Sequence, residues 1–473
     1  MTTNKIEQIQ SQINEILTLI NSSLPPIQEK TENFRKVIDQ AANNASGINS
    51  DIKRIERTQD RINLVLQMLV VAKEQRSVVN KCKESFKTKD YDGTVRHFVQ
   101  LKSYGNGCSR IMKEEINLLQ KSIEEEFMNN FKNATEKGDM KQILRYTDLL
   151  MRIGSSEFAT KQYITYYTTL ILNESTTIKE KLLKLDINTI KAEAIFTKTI
   201  QGFVDFSLKV VSRQNSIKAI DVFQPDKYYF IIQQLYDQIN ICVLTLVITF
   251  TSIRRISSLQ TQKGTKDYPE QDVLIVLDET SSISNVISFY KDYFNDFLGK
   301  INASDEVKNK PIESIKKLDD ELDKLLNSFV LLEESYVSAT LTHSIKERIK
   351  ISEFGEALDL FFYVLQQSAE RVVLTKSFQT ICAIINLHVN MIKSYLLPMT
   401  KNVVRDNTSF TNVLSKEALT CIDSCEANII KLHSTLSLKI NTLWRNNSKY
   451  LEMVNTNLDD LLATRELFTS LSN

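Results

Sequence analysis

Between Phe34 and Leu69 the sequence carries an almost unbroken heptad seam. Apolar residues stand at Phe34, Ile38, Ala41, Ala45, Ile48, Ile52, Ile55, Ile62, Leu66 and Leu69, with alternating steps of four and three, and Gln59 alone interrupts the register. A 3.5-residue repeat held over about five heptads keeps one narrow apolar stripe facing a partner helix, which is the requirement for a coiled coil. At 1.5 Å per residue the rod is roughly 50 Å long. A stripe this thin cannot fold into a globule by itself, so partner binding is the first functional expectation.

The rest of the composition points the same way. With 473 residues the chain has room for two to four domains, yet it holds only 10 glycines and 6 prolines. Average usage would supply roughly 33 and 24. Few helix breakers, with abundant Leu, Ile, Lys, Glu, Gln and Asn, predict an all-α protein. Glycines for strand hairpins or phosphate loops are missing. Net charge is +1, and the first 75 residues hold nine basic and nine acidic side chains, a balance that argues against a nucleic-acid footprint. Six irregularly spaced cysteines argue against a disulfide framework and for a reducing compartment. The N-terminus, MTTNKIEQIQ, has Lys5 and Glu7 where a signal peptide needs an apolar core. The most apolar run, Ile241 to Phe250, is too short to span a bilayer and reads as a buried helix. Sequons such as Asn133-Ala-Thr135 are then chance matches, and the chain reads as soluble and cytosolic.

A first heptad stretch runs through Ile6, Ile9, Ile13, Ile16 and Ile20, and Pro25-Pro26 is expected to end it. The long seam follows, until Lys73 and Arg76 occupy its next positions. From about Val78 the pattern broadens into amphipathic helices with short joints, two of which look alike: Phe86 to Gly93, leading into a helix with a Gly105 stop, and Ala134 to Asp139, leading into a helix with a Gly154 stop. In both, Asp is placed to cap the new helix and Gly to close it. The polar stretch 260–271, with Gly264 and Pro269, predicts a domain boundary. The expected divisions are an assembly segment at 1–75, a helical bundle at 76–260 and a second bundle region at 272–473. In the last, helices are expected around 272–300, 311–350, 354–397 and 415–470. The final one returns to heptad spacing at Ala418, Ile422, Cys425, Ile429, Leu432 and Leu436.

Site chemistry is sparse. Gln59 reads as a tolerated polar layer that fixes alignment; a SNARE-like glutamine layer is the rival reading, weakened because most of the chain follows where a membrane anchor would stand. Cys421 and Cys425 lie four apart but lack two further ligands at familiar spacing, so core packing is the better reading. The four histidines (97, 343, 388 and 433) are dispersed, with no HExxH. A Ser-His-Asp set formed only in space is not announced by anything local. No Walker A loop, GxGxxG or paired aspartate-rich motif occurs, and Glu124 to Glu126 and Asp459-Asp460 read as solvated faces. Arg254-Arg255 is a weak patch for an acidic partner or headgroup. No catalytic, cofactor or metal residue is assigned; a helical enzyme remains only as a minor alternative, to be supported by an apolar pocket with convergent carboxylates or histidines.

Five stretches resemble one family, the fourth subunit of the conserved oligomeric Golgi complex: Cys82 to Leu101, Phe127 to Gly154, Asp272 to Leu298, Leu332 to Lys346 and Ser377 to Leu387. None is a catalytic signature; they occur in the family's order after an N-terminal coiled coil, over roughly residues 30 to 440. The resemblance implies an elongated rod of helical bundles and a non-enzymatic, peripheral subunit of a vesicle tether on the cytosolic face of the Golgi membrane. It implies a coiled coil joining neighbouring subunits, contacts to syntaxin-class SNAREs and SM-family regulators, and no cofactor. Family chains ordinarily continue into further C-terminal bundles, whereas this sequence stops at Asn473, so contacts made through those bundles are not carried over. Another helical-rod tether or a cytoskeletal adaptor is the alternative.

Overall fold

With so few helix breakers, long stretches of this chain meet nothing that stops a helix. The computed structural model describes residues 3–105, 109–185, 195–261, 269–344, 350–406, 416–445 and 448–472, and among them every regular element is helical. Gly264 and most of the polar stretch 260–271 lie outside the described residues, as does the end of the Leu332–Lys346 stretch. The chain divides into two compact units, Met1–Glu125 and Glu126–Asn473.

The first unit is dominated by α1, Thr3–Lys87, a single helix of 85 residues. It does not stop at Pro25-Pro26 as the sequence led us to expect; both prolines lie inside it. Each costs about 3 kcal/mol and removes one amide donor, here those owed to the carbonyls of Asn21 and Ser22. Both of these residues are exposed. Water can therefore take the place of the lost donors, and the helix continues on both sides of the pair. The C-terminal end of α1 packs on α2, Tyr91–Ser103, burying Val79, Cys82, Val95 and Phe98. Glu115, in the first half of α3 (Arg110–Lys137), accepts from both Arg76 (2.7 Å) and Lys83 (2.6 Å) of α1.

The joints follow the expected chemistry. After Lys87 the amide of Asp90 donates back to the Ser85 carbonyl (2.9 Å), and the Asp90 carboxylate accepts from the Gly93 amide (3.0 Å). Gly93 is the third residue of α2 rather than part of the turn. A Cβ there would lie 2.2 Å from the Asp90 carboxylate, so glycine is what lets the cap fold over. In the second unit, Asp139 caps α4 (Met140–Arg152) by accepting from the amides of Lys141 and Gln142 at 3.1 and 3.2 Å. Gly154, at φ +99°, closes α4, with the Ser155 amide donating to the Leu150 carbonyl (3.1 Å). This is the left-handed helix end that glycine adopts cheaply.

The second unit continues through α5 (Ser156–Leu183), α6 (Ile195–Ser216), α7 (Pro225–Ile253), α8 (Glu270–Gly299), α9 (Glu313–Ser344) and α10 (Phe354–Leu374). Then come α11 (Phe378–Met391), a π-helical turn at Ile392–Leu396, α12 (Leu397–Asp406), α13 (Lys416–Leu443), α14 (Ser448–Ala463) and α15 (Glu466–Ser472). The expected helix 354–397 is thus broken at Thr375 to Ser377, and 415–470 after Leu443 and again at Thr464-Arg465. One connected apolar core reaches from Phe131 to Phe468. The apolar run 241–250 lies in α7, where Cys242, Val243, Leu246, Val247 and Phe250 are buried. Two helices, Pro225–Ile253 and the stretch Phe378–Asp406, are long and apolar enough to cross a membrane, and more than half of the most apolar part of each is buried in this core. Inside, the Tyr290 hydroxyl donates to the Asn240 side-chain oxygen (2.9 Å), whose amide donates to Ser314 Oγ (3.2 Å), joining α8, α7 and α9.

Candidate partner-binding interface

Each position of the Phe34–Leu69 seam lies on α1: Phe34, Ile38, Ala41, Ala45, Ile48, Ile52, Ile55, Gln59, Ile62, Leu66 and Leu69 are all exposed. Phe34 is 73% exposed and even Ile52 is 48% exposed. An unbroken helix brings these residues into one stripe because each step of three or four returns within about 60° of the same side. Gln59 sits in the stripe between Ile55 and Ile62.

α1 does use one face within its own unit, and it is a different face. Gln75, Val78, Val79 and Cys82 are buried. Projected along the helix, their centre lies roughly 160° from that of the Leu66–Leu69 stripe. The stripe ends where Lys73 and Arg76 take its next positions, and Arg76 is engaged by Glu115. The last turns before that end are apolar on nearly every side. Leu64, Val65, Leu66, Met68, Leu69, Val70 and Val71 are all exposed, with Gln67 the polar interruption. This cuff was not singled out in the sequence, although its run of apolar residues was legible there. A helix apolar all round is ordinarily a surrounded one.

The other candidates fall to structural roles. Cys425 is buried on the α13 core face, its thiol pushed up to about 12 by burial, and Cys421 is half-buried with its thiol also raised. Among the described residues no group of three His, Cys, Asp or Glu stands ready to hold a metal. His388 is fully buried, its Nε2 within 3.1 Å of Ser368 Oγ; burial, with Arg371 nearby, holds its pKa down at about 3. His343 Nδ1 lies 2.7 Å from Glu270 on the surface.

Arg254 is not available to an acidic partner. Its Nε donates to Glu279 (2.7 Å), both side chains are buried, and the other Glu279 oxygen accepts from the Phe196 amide at the start of α6 (3.0 Å). Burial raises the Glu279 pKa against the pull of Arg254. A second buried pair, unannounced by any motif, joins α9 to α10: Arg371 donates to both oxygens of Glu333, at 3.1 and 2.5 Å. Long-range charge pairs of this kind leave no spacing signal, because their partners lie 25 and 38 residues apart in different helices.

One comparison with known proteins falls on the same segment. Residues 13–104, which contain the whole Phe34–Leu69 stripe, match the family model for conserved oligomeric Golgi complex subunit 4, N-terminal. Conserved oligomeric Golgi complex subunit 4 of Homo sapiens and that of Pongo abelii are each 19% identical over 428 residues, covering 82% of this chain and 54% of the relative. That of Mus musculus is 19% identical over 421 residues, 81% of this chain and 53% of its own. The chain spans about half the length of the curated relatives it matches. A solved structure titled "Computational Design of Self-Assembling Cyclic Protein Homooligomers" aligns with 67% of this chain and 98% of its own at 8% identity, with a TM-score of 0.22 that is too low to carry an argument. The chain is therefore similar to conserved oligomeric Golgi complex subunit 4: residues 13–104 match that family's N-terminal model, and a more distant similarity extends over most of the chain.

Proposed function

We propose that this chain is a non-enzymatic scaffold subunit of a vesicle tether of the conserved oligomeric Golgi type, supporting intra-Golgi retrograde transport and Golgi organisation. The observation that carries this reading is the bare stripe on α1. Apolar side chains left in water forgo about 25 cal/mol for each Å² that a partner would cover. In this reading residues 34–69, within an assembly segment at 1–75, pair with other subunits of the same complex. The regions 76–260 and 272–473 supply reach, and their surfaces recruit syntaxin-class SNAREs and SM-family regulators. The chain works peripherally at the cytosolic face of the Golgi membrane, without cofactor or nucleic acid. A different helical-rod tether or a cytoskeletal adaptor would use the stripe in the same way and is told apart by the identity of its partners.

The test is purification of the tagged chain from its own cells, beside an Ile52→Asp, Ile55→Asp variant. Burying two unpaired carboxylates is costly, so the variant is expected to retain at least about tenfold less of the partner subunits. Unchanged retention rules out the stripe as the assembly surface. Recovery of the parent chain alone, or with an unrelated set of proteins, overturns the tether reading itself.

A further inference from the structure

Because α1 passes through Pro25-Pro26, the two apolar stretches of its sequence lie on one continuous helix. From Ile6 the apolar steps run to Ile9, Ile13, Ile16 and Ile20, then to Leu24, Ile27, Thr31 and Phe34, where the seam to Leu69 takes over. The spacing alternates between three and four throughout, except for two successive fours at Ile16–Ile20–Leu24. Such a four-residue stutter locally unwinds a supercoil without moving the stripe off its face. Thr31 and Gln59 are the two polar layers; the Thr31 hydroxyl donates to the Ile27 carbonyl of its own helix (2.6 Å). If Leu24 is position a, Pro25 and Pro26 are b and c, on the outer side. The missing donors therefore never face the partner, and Ile6, Ile16, Leu24 and Ile27 are as exposed as the residues that follow.

The flanks say what kind of helix fits. In this register Lys30 and Asp51 are at g, and Arg35 and Glu56 at e. Parallel strands set each g against the e of the partner's next heptad. A parallel second copy would therefore place Lys30 against Arg35 and Asp51 against Glu56, like charge on like charge, along both edges. In the antiparallel register that pairs Lys30 with Asp51, Gln59 meets Ile20 and Thr31 meets Ile48, which strands both polar layers against apolar ones. We infer that α1 offers one unbroken seam from Ile6 to Leu69 to a heptad helix of a different chain, acidic beside Lys30 and Arg35 and basic beside Asp51 and Glu56.

This inference rests on the proposed assembly role, and its test separates the two. Full-length Ile13→Asp, Ile16→Asp is compared with Ile52→Asp, Ile55→Asp for retention of the same co-purifying tether subunits. An outer-face Ser46→Asp, Ser50→Asp chain is the control, and helical circular dichroism verifies that each variant is folded. Both seam variants are expected to lose at least about tenfold, and the control to lose nothing. Loss only from the downstream pair overturns the continuous seam and leaves the assembly role standing; loss from neither overturns both. Lys30→Glu, Arg35→Glu is expected to lower retention at low salt, with the deficit shrinking as salt screens the flanks. No effect of that reversal overturns the charge assignment. Sedimentation of the purified parent chain is expected to show a monomer; a dimer abolished by Ile52→Asp, Ile55→Asp makes the occupant a second copy and overturns the assignment to a different chain.

Discussion

Among the described residues, four helix ends close on a left-handed residue that is not glycine, and all four are basic: Lys89, Lys218, Arg255 and Lys376. A Cβ makes that conformation unfavourable by about 1 kcal/mol relative to glycine. The exposed Lys89 is the cleanest place to measure it. Lys89→Gly is expected to stabilise the first unit by about 1 kcal/mol in a urea titration, whereas Gly138→Ala, at φ +66° with open space around the new Cβ, should cost about as much. The same residues explain which helix breaks stayed hidden in the sequence. Gly105 and Gly154 announced their turns, but nothing about Lys376 distinguishes it from a helix-favouring lysine, so the break after α10 went unseen. His388 adds a pH dependence at this scale. Its folded pKa of about 3 lies below the ordinary 6.5, so between those values the unfolded chain binds more protons than the folded one. Stability then rises with pH through that window, is complete above it, and falls by about 1.4 kcal/mol per unit on acidification below pH 6.5. In denaturant titrations at pH 7 and pH 5, His388→Gln is expected to flatten the difference; an unchanged slope would assign the acid sensitivity elsewhere.

Two helices of this chain carry heptad spacing and meet opposite fates. On α13, Ala418, Ile422, Cys425, Ile429, Leu432 and Leu436 are buried among neighbouring helices of the same unit. On α1 an equally regular stripe is left in water. Periodicity therefore reveals that a face is meant to be covered, and only the assembled chain reveals by what. Helix ends capped by aspartate were legible because the cap is local in sequence; Pro25-Pro26 misled because a penalty of a few kcal/mol, placed on an exposed outer face, is not a veto on an 85-residue helix. Charge pairs between elements were illegible for the converse reason. Glu333 and Arg371 have meaning only once α9 and α10 are side by side. Glu333→Leu alone, which strands the Arg371 guanidinium in the core, is expected to cost about 3–5 kcal/mol by chemical denaturation. The double change Glu333→Leu, Arg371→Met should recover most of that loss, since the pair exists to satisfy itself.

At the scale of the molecule, the exposed stripe and the folded core are built from separate residues. The stripe from Phe34 to Leu69 contributes nothing to the apolar core that runs from Phe131 to Phe468, so Ile52→Asp, Ile55→Asp is expected to leave the unfolding of that core within about 0.5 kcal/mol of the parent. The helical class and the candidate stripe were legible because both are written in periodicity and in scarce glycine and proline. That Ile6 and Leu69 lie on one helix was not, because it depends on the helix continuing through a proline pair. The cuff at Leu64 to Val71 carries its own consequence for the life of the chain. A newly made copy that has met nothing bears seven bare apolar side chains within little more than two turns, the kind of surface that aggregates or is held by chaperones. In the proposed assembly, the survival of an orphan copy would follow the supply of the partner that sheathes the cuff, and a cell making this chain in excess would keep only as much as it can cover.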